Sequence, residues 1–372
     1  MSYRPKARTP LAVLAALALL ASACGGGGAE VPEADVEAEE GGPLVIEDEE
    51  VADAELFAAA QEEGSLVVYS GFPETAELAI QQAFTDDTGI GVENVRAPTG
   101  QLVERILSEA GAGELGADAI RISDIALVTS VDEEGIYAEH MIPNADVYDD
   151  QFKHPEGRWY ASVTPTMGFS YNTELVSEED APQSWEDMLN PEWQGNLCLG
   201  QAGAGGSTFS LAYFQRKEFG IEYWEQLAAQ EPSILSSTAT VAEENARGEC
   251  AVGINHQGTT ALLANDGAPL QFVFPEDGST VWPHYLSATA EAPNPNAAKL
   301  FLNWSMSLRG QTVTTTAATD YVPHPEAPTP QLNDISFPEF DEIDPYFADN
   351  DEWVEVRADW VEEWYSLFGY TP

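Results

Sequence analysis

An α/β fold built from repeated strand–loop–helix units is what this sequence predicts, on three observations. Leu66, Val67, Val68 and Tyr69 form an apolar run too short for a helix and ended by Ser70-Gly71, as in a strand buried on both faces. Leu78, Ile80, Ala83 and Phe84 then recur near helical spacing, and Thr88-Gly89 stops the pattern where a left-handed residue ends a helix. The alternation repeats at once: a strand over 92–95, a loop from Arg96 through Pro98, Thr99 and Gly100, and a helix with Leu102, Val103, Ile106 and Leu107 on one face. Strands separated by helices are parallel, so their loops gather at the carboxyl edge of the sheet. Each loop there leads into a helix N-terminus with unpaired N–H groups and a partial positive charge.

The 372 residues, 44% of them hydrophobic, suffice for one large or two medium cores. Arg4, Lys6 and Arg8 precede an apolar run over 11–20 and the small residues Ala21-Ser22-Ala23 before Cys24, which reads as a signal peptide over 1–24. The pattern resembles a bacterial lipoprotein signal, in which Cys24 becomes the acylated first residue. Residues 25–55 combine glycine with dense acid and read as a tether. Beyond residue 24 the chain holds 11 Lys and Arg against 64 Asp and Glu, a difference of −53. Such a field repels nucleic acid and anionic lipid, leaving the lipid anchor as the membrane contact. The carboxylates are spread along the whole chain, as on a protein from a salty environment, where ionic strength screens self-repulsion. Cys198 and Cys250 begin two apolar runs, and outside the cytoplasm they favour one disulfide.

A third unit follows with a strand over 117–122, Ser123-Asp124, and a helix over 125–131. The stretch 160–171, with a central Pro165, reads as a strand passing from one domain to another. A second series then begins: 197–199 runs into Gly203-Ala204-Gly205-Gly206-Ser207-Thr208, 233–235 into Ser236-Ser237-Thr238, and 250–254 into Asn255-His256-Gln257-Gly258. The stretches 272–274 and 281–286 read as strands returning to the first domain. An amphipathic helix over 296–308 ends at Gly310, and an acidic, aromatic tail carries a helix over 353–367. The expected division is 56–163 with 282–372, tail included, as one domain and 164–281 as the other.

These loops offer neutral hydrogen bonding. Ser70, Gly71, Thr99, Gly100, Ser123, Gly205, Gly206, Ser207, Thr208, Ser236 and Ser237 follow strands, where small residues admit a ligand and hydroxyls suit a phosphoryl or carboxyl oxygen. The same residue types are ordinary caps and turn formers. Arg96 suits an anion or one of the many carboxylates. Asn255 and His256 stand on a ligand-facing loop. Trp282 and Tyr285 suit core packing, or a cleft wall for an organic or cationic solute.

Taken in order, LVVYSG (66–71), AFTDDTGIGVENV (83–95), GADAIRISD (116–124), YNTELV (171–176), APQSWEDMLNPEWQGNL (181–197), ARGECAVGI (246–254) and APNPNAAKLFLNWSMSLRGQ (292–311) resemble the solute-binding proteins of ABC importers. The nearest branch includes ferric-iron binders, with relatives for phosphonates, thiamine and polyamines. The resemblance implies the type 2 periplasmic binding protein fold: two α/β domains with mixed sheets, joined by extended crossover strands and closing on a ligand. It also implies a permease and an ATPase as partners, a monomer, and Fe(III) as cargo rather than cofactor. Ferric binders of this branch use two adjacent tyrosines after the strand matched here by 251–254, and often a histidine after the first strand. Here those positions read Asn255-His256-Gln257-Gly258 and Ser70-Gly71-Phe72-Pro73. Hard Fe(III) prefers anionic oxygen ligands, which neutral His256 does not replace. Three ligand classes therefore stay open: ferric iron or its chelate, a small oxyanion, and a polyamine or other organic solute.

Rival classes have less support. There is no G-x-S-x-G elbow, H-E-x-x-H pair or phosphate-loop lysine to suggest an enzyme. A purely structural surface protein has no need of small residues at so many strand ends.

Overall fold

The computed structural model describes residues 31–38 and 41–371. The signal segment and Cys24 lie outside them. The chain opens with β1 (Val36–Ala38), β2 (Leu44–Ile46) and β3 (Glu49–Ala52), paired antiparallel. Then come α1 (Ala54–Glu63), β4 (Ser65–Ser70), α2 (Glu74–Thr88), β5 (Gly91–Arg96), α3 (Thr99–Ala112), β6 (Ala119–Ser123), α4 (Ile125–Glu133) and β7 (Tyr160–Val163). The middle of the chain holds β8 (Thr166–Asn172), β9 (Leu197–Gly200), α5 (Gly206–Glu218), α6 (Ile221–Ala229), β10 (Ser233–Leu235), α7 (Thr238–Arg247), β11 (Val252–His256), α8 (Gln257–Asn265), β12 (Leu270–Val273) and β13 (Ser279–Val281). It ends with β14 (His284–Ala288), α9 (Pro295–Met306), α10 (Leu308–Ala318), a hairpin of β15 (Gln331–Leu332) and β16 (Ile335–Ser336), β17 (Pro345–Phe347) and α11 (Asn350–Phe368).

Two mixed sheets divide the molecule. In the first the order is β5-β4-β6-β14-β7, with β4 parallel to β5 and β6 and with β14 antiparallel to its neighbours. In the second the order is β10-β9-β11-β8-β13-β17, with β12 also on β8. The chain passes between the sheets at Thr164-Pro165 and at Trp282-Pro283, and enters the second sheet once more at β17. Proline has no N–H for a ladder, so a sheet ends there without stranding a donor. The two crossovers lie side by side, with Trp282 N–H donating to Pro165 O at 3.2 Å.

Four expectations need correction. The tether does not extend to residue 55: Leu44, Ile46, Val51 and Ala52 are buried in the core that α1 and α9 share. Asn303 Nδ2 donates to Val51 O at 2.9 Å, so the acid-rich stretch is pinned by its few apolar residues. Ile46→Val is expected to cost about 1 kcal/mol, read from the urea midpoint; an unchanged midpoint would mean that this sheet is not part of the stable body. Secondly, β12 pairs with β8 in the second sheet and does not return to the first. Thirdly, Gly310 does not end a helix. It lies in the first turn of α10, where a Cβ would collide with Trp304 O, so glycine lets α9 and α10 meet at a tight corner. Finally, the tail does not join the first domain: β17 extends the second sheet, and α11 packs on α5 and α6 while touching α4 across the cleft.

Candidate functional site

The loops after β4, β5 and β6 meet the loop after β9 at the carboxyl edges of the two sheets. Thr99 Oγ1 and Ser123 Oγ lie 3.3 Å apart, and a Cβ on Gly71 would lie 2.5 Å from Thr99 Oγ1. From the other domain, Gly206 comes so close that a Cβ on it would stand 2.9 Å from Asp124 N and 3.3 Å from Ser123 Oγ. Ser123 thus sits between the first residues of α3 and α5, one helix from each domain. No side chain takes a first-turn N–H group of either helix, the Thr208 hydroxyl accepting only from Gly205 N–H ahead of α5 at 3.3 Å, and neither helix has an acidic residue in its first turn. Of the other helices, α1, α4, α7, α8, α10 and α11 are capped by side chains, α2 and α6 lack a cap but carry first-turn acid, and the first-turn N–H groups of α9 are taken by Glu63. The N–H groups of the first turns of α3 and α5 carry partial positive charge and have no helical partner.

Of the other sequence candidates, Gly205 and Ser207 flank Gly206, and Gly100 and Arg96 are exposed at the mouth. Arg96 makes no ion pair among the described residues. Thr208 turns inward, donating to Ala202 O at 3.1 Å. Ser70 lies beneath the surface, donating to Glu77 Oε2 at 2.7 Å and accepting from Phe72 N–H at 3.1 Å. Ser237 caps α7 through Thr240 N–H at 3.1 Å, and Ser236 is exposed beside Thr240. Asn255 is buried away from the cleft, its Nδ2 donating to Ser170 Oγ at 2.8 Å. His256 has both ring nitrogens engaged, with Asp320 Oδ1 at 2.5 Å and Thr259 Oγ1 at 3.0 Å, so it ties α8 to the end of α10 and offers a solute nothing. Cys198 and Cys250 are bonded, with Cα atoms 5.9 Å apart.

Beside Ser123 opens a cavity of about 370 Å³ lined by Asp124, Trp282, Tyr285, Phe152, Phe347 and Trp353, among others. Asp124 has φ 79° and ψ 98°, a backbone conformation rare for a residue with a side chain. Its carboxylate accepts from Ala126 N–H at 3.2 Å, Trp353 Nε1 at 2.8 Å and Arg357 Nε at 2.5 Å. Burial pushes its pKa up, against the opposing pull of Arg357 and the hydrogen bonds. Burial likewise pushes the Tyr285 phenol up, and it pushes His284 down to about 3, helped by the charges of Arg121 and His256. His284 is therefore neutral at working pH. Among the described residues no group of three or more His, Cys, Asp or Glu is arranged to hold a metal ion.

Residues 117–344 match the family described as bacterial extracellular solute-binding protein. The chain belongs to that family. The match spans β6 to the approach of β17 and so takes in both crossovers and most of the second sheet. The Fe(3+)-binding periplasmic protein of Serratia marcescens is 22% identical to this solute-binding protein over 263 residues, covering 68% of this chain and 77% of the relative. Iron-bound HitA from Pseudomonas aeruginosa superposes with a TM-score of 0.69 at 20% identity, covering 82% of this chain and 98% of that one. AfuA from Actinobacillus pleuropneumoniae, with fructose-6-phosphate bound, gives 0.68 at 22% identity over 83% and 100%. The type 2 periplasmic binding protein fold is therefore that of this chain. The family consists of solute-binding components, and its place is extracytoplasmic.

Asp124, Trp353 and Arg357 are the cleft residues that sequence reading does not single out. Asp124 does stand in the GADAIRISD stretch directly after a strand, which is the one signal that points to it.

Proposed function

We propose that this solute-binding protein captures, for an ABC importer, a small solute bearing a phosphoryl or carboxylate group, and that a ferric ion enters the cleft only in company with such an anion. The observation that carries this reading is the meeting of α3 and α5, uncapped and free of first-turn acid, on either side of Ser123. Oxyanions suit such helix ends and the hydroxyls of Thr99 and Ser123. A bare ferric site has less support, since His256 is committed to Asp320 and Thr259. The ligands of the two similar structures, iron in HitA and fructose-6-phosphate in AfuA, bracket the same choice. Lipidation of Cys24, attachment to the outer face of the membrane, work as a monomer with a cognate permease and ATPase, and adaptation to high salt are parts of the same proposal.

The test is thermal unfolding in high salt with inorganic phosphate, fructose 6-phosphate, citrate, ferric citrate, spermidine, and ferric iron with carbonate. Saturation at 100 times the dissociation constant adds about 2.7 kcal/mol, so one of the anions is expected to raise the midpoint clearly. A shift with ferric iron and carbonate alone, giving a coloured complex, would restore a metal site; a shift with spermidine alone would make the solute a cation. Gly206→Val is expected to weaken the anion by about tenfold, because its side chain would wedge against Ser123 and Asp124 and hold the domains apart. Titration calorimetry checks it, and undiminished affinity would remove Gly206 from the closed cleft.

A further inference from the structure

We propose that Arg357, carried by the C-terminal helix, is a specificity-determining residue of the cleft: it cancels the charge of Asp124 beside Ser123 and so admits an anionic solute. The inference rests on the anion reading above. Asp124 directly follows Ser123, and its backbone N lies against Gly206, so its carboxylate borders the place where α3 and α5 meet. A solvated acid would be screened, but this one is 2% exposed. An uncompensated charge there would repel an oxyanion at close range. Asp349 lines the same cavity and adds to that negative field.

Arg357 is placed to oppose it. Its Nε reaches Asp124 Oδ2 at 2.5 Å, its guanidinium lies 5.5 Å from the Phe209 ring centre, and three quarters of its side chain is buried. The helix that carries it is docked on the second domain. Tyr213 Oη and Lys217 Nζ both donate to Glu352, at 2.6 and 2.8 Å, Arg216 pairs with Glu363 at 3.4 Å, and Tyr365 bonds Gln201 over Gly203. Asp124 belongs to the first domain. The pair therefore spans the cleft, and Trp353 Nε1 adds a second cross-cleft bond to the same carboxylate. The positive charge arrives as the domains close.

The experiment compares the full chain with R357Q, R357K and D124N/R357Q, measuring calorimetric binding of inorganic phosphate and of citrate at one salt concentration, with thermal unfolding to confirm that each is folded. R357Q is expected to bind the anion at least about tenfold more weakly than the wild type. R357K should keep most of the affinity, and D124N/R357Q should recover to within about threefold of the wild type, because the charge that needs cancelling has gone. Equal affinity in R357Q and the wild type would overturn the inference. So would equal weakness in R357Q and D124N/R357Q, which would make Arg357 only a strut between domains. A wild-type chain that binds neither probe would instead overturn the anion reading, and this inference with it.

Discussion

Glu77→Gln is expected to lower the stability of this protein by about 3–5 kcal/mol and to disturb the cleft above it. Glu77, in the first turn of α2, and Arg121, in β6, are both fully buried and meet at 3.1 Å. Ser70 Oγ and Gln81 Nε2 also donate to the Glu77 carboxylate, at 2.7 and 2.9 Å. Arg121 has no such company: its Nε and Nη2 have no hydrogen-bond partner, so Glu77 is its one acceptor among the described residues. Neutralising Glu77 leaves a buried guanidinium without a counter-charge, whereas replacing both residues with apolar ones of similar volume should cost far less. Urea unfolding of Glu77→Gln, and of Glu77→Leu, Arg121→Met and the Glu77→Leu/Arg121→Met pair as a cycle, separates the two cases. Additive single effects would show that the charges are not coupled. The Phe72 ring lies 5.7 Å from the Arg121 guanidinium, so the Gly71 loop is expected to shift and solute affinity to fall as well.

Reduction of the Cys198–Cys250 bond is the second large effect. The bond closes a segment of 52 residues, and in the chain-entropy account a loop of that length is worth about 4 kcal/mol. It joins β9 to a residue two positions before β11, a strand already held to β9 by parallel pairing, with Val241 and Leu235 packed around the sulfurs. Most of the benefit therefore lies in restricting the unfolded chain. Urea unfolding with and without reductant, beside the Cys198→Ala/Cys250→Ala variant, should show the same drop in midpoint in both. No drop in either would mean that the unfolded chain gains little from being opened.

What the sequence revealed and what it hid follow from how far each partner lies along the chain. The strand–loop–helix series was legible because apolar runs, Gly89 and the helical spacing are local signals, and the same locality placed Thr99, Ser123 and Gly206 at strand ends. His256 stood at a strand end too, but its partner Asp320 lies 64 positions on, and no local pattern shows that its nitrogens are taken. Asn255 was hidden in the same way by Ser170. The tail reads as an acidic, aromatic helix, which says what it is but not where it packs; Trp353 and Arg357 reach Asp124 across 229 and 233 positions. In residues 25–55 the abundance of glycine and acid outweighs Leu44, Ile46 and Val51, yet these three decide the structure because each finds a buried place.

With the proposed lipid at Cys24, that small sheet would also set how the protein stands. An anchor at Cys24, as proposed, would be joined to Pro32, whose carbonyl accepts from Arg309 Nη1 at 2.7 Å, by a stretch that spans at most about 30 Å. A compact body of this length has a radius of gyration of about 20 Å, hence a width of about 50 Å, more than that reach. A leash ending at residue 55 would let the molecule tumble end over end above the lipid. One ending ahead of β1 would keep the side that carries β1, β2 and β3 turned toward the membrane, and with the proposed anchor the angle at which the cleft meets a permease would be set largely by the start of the body.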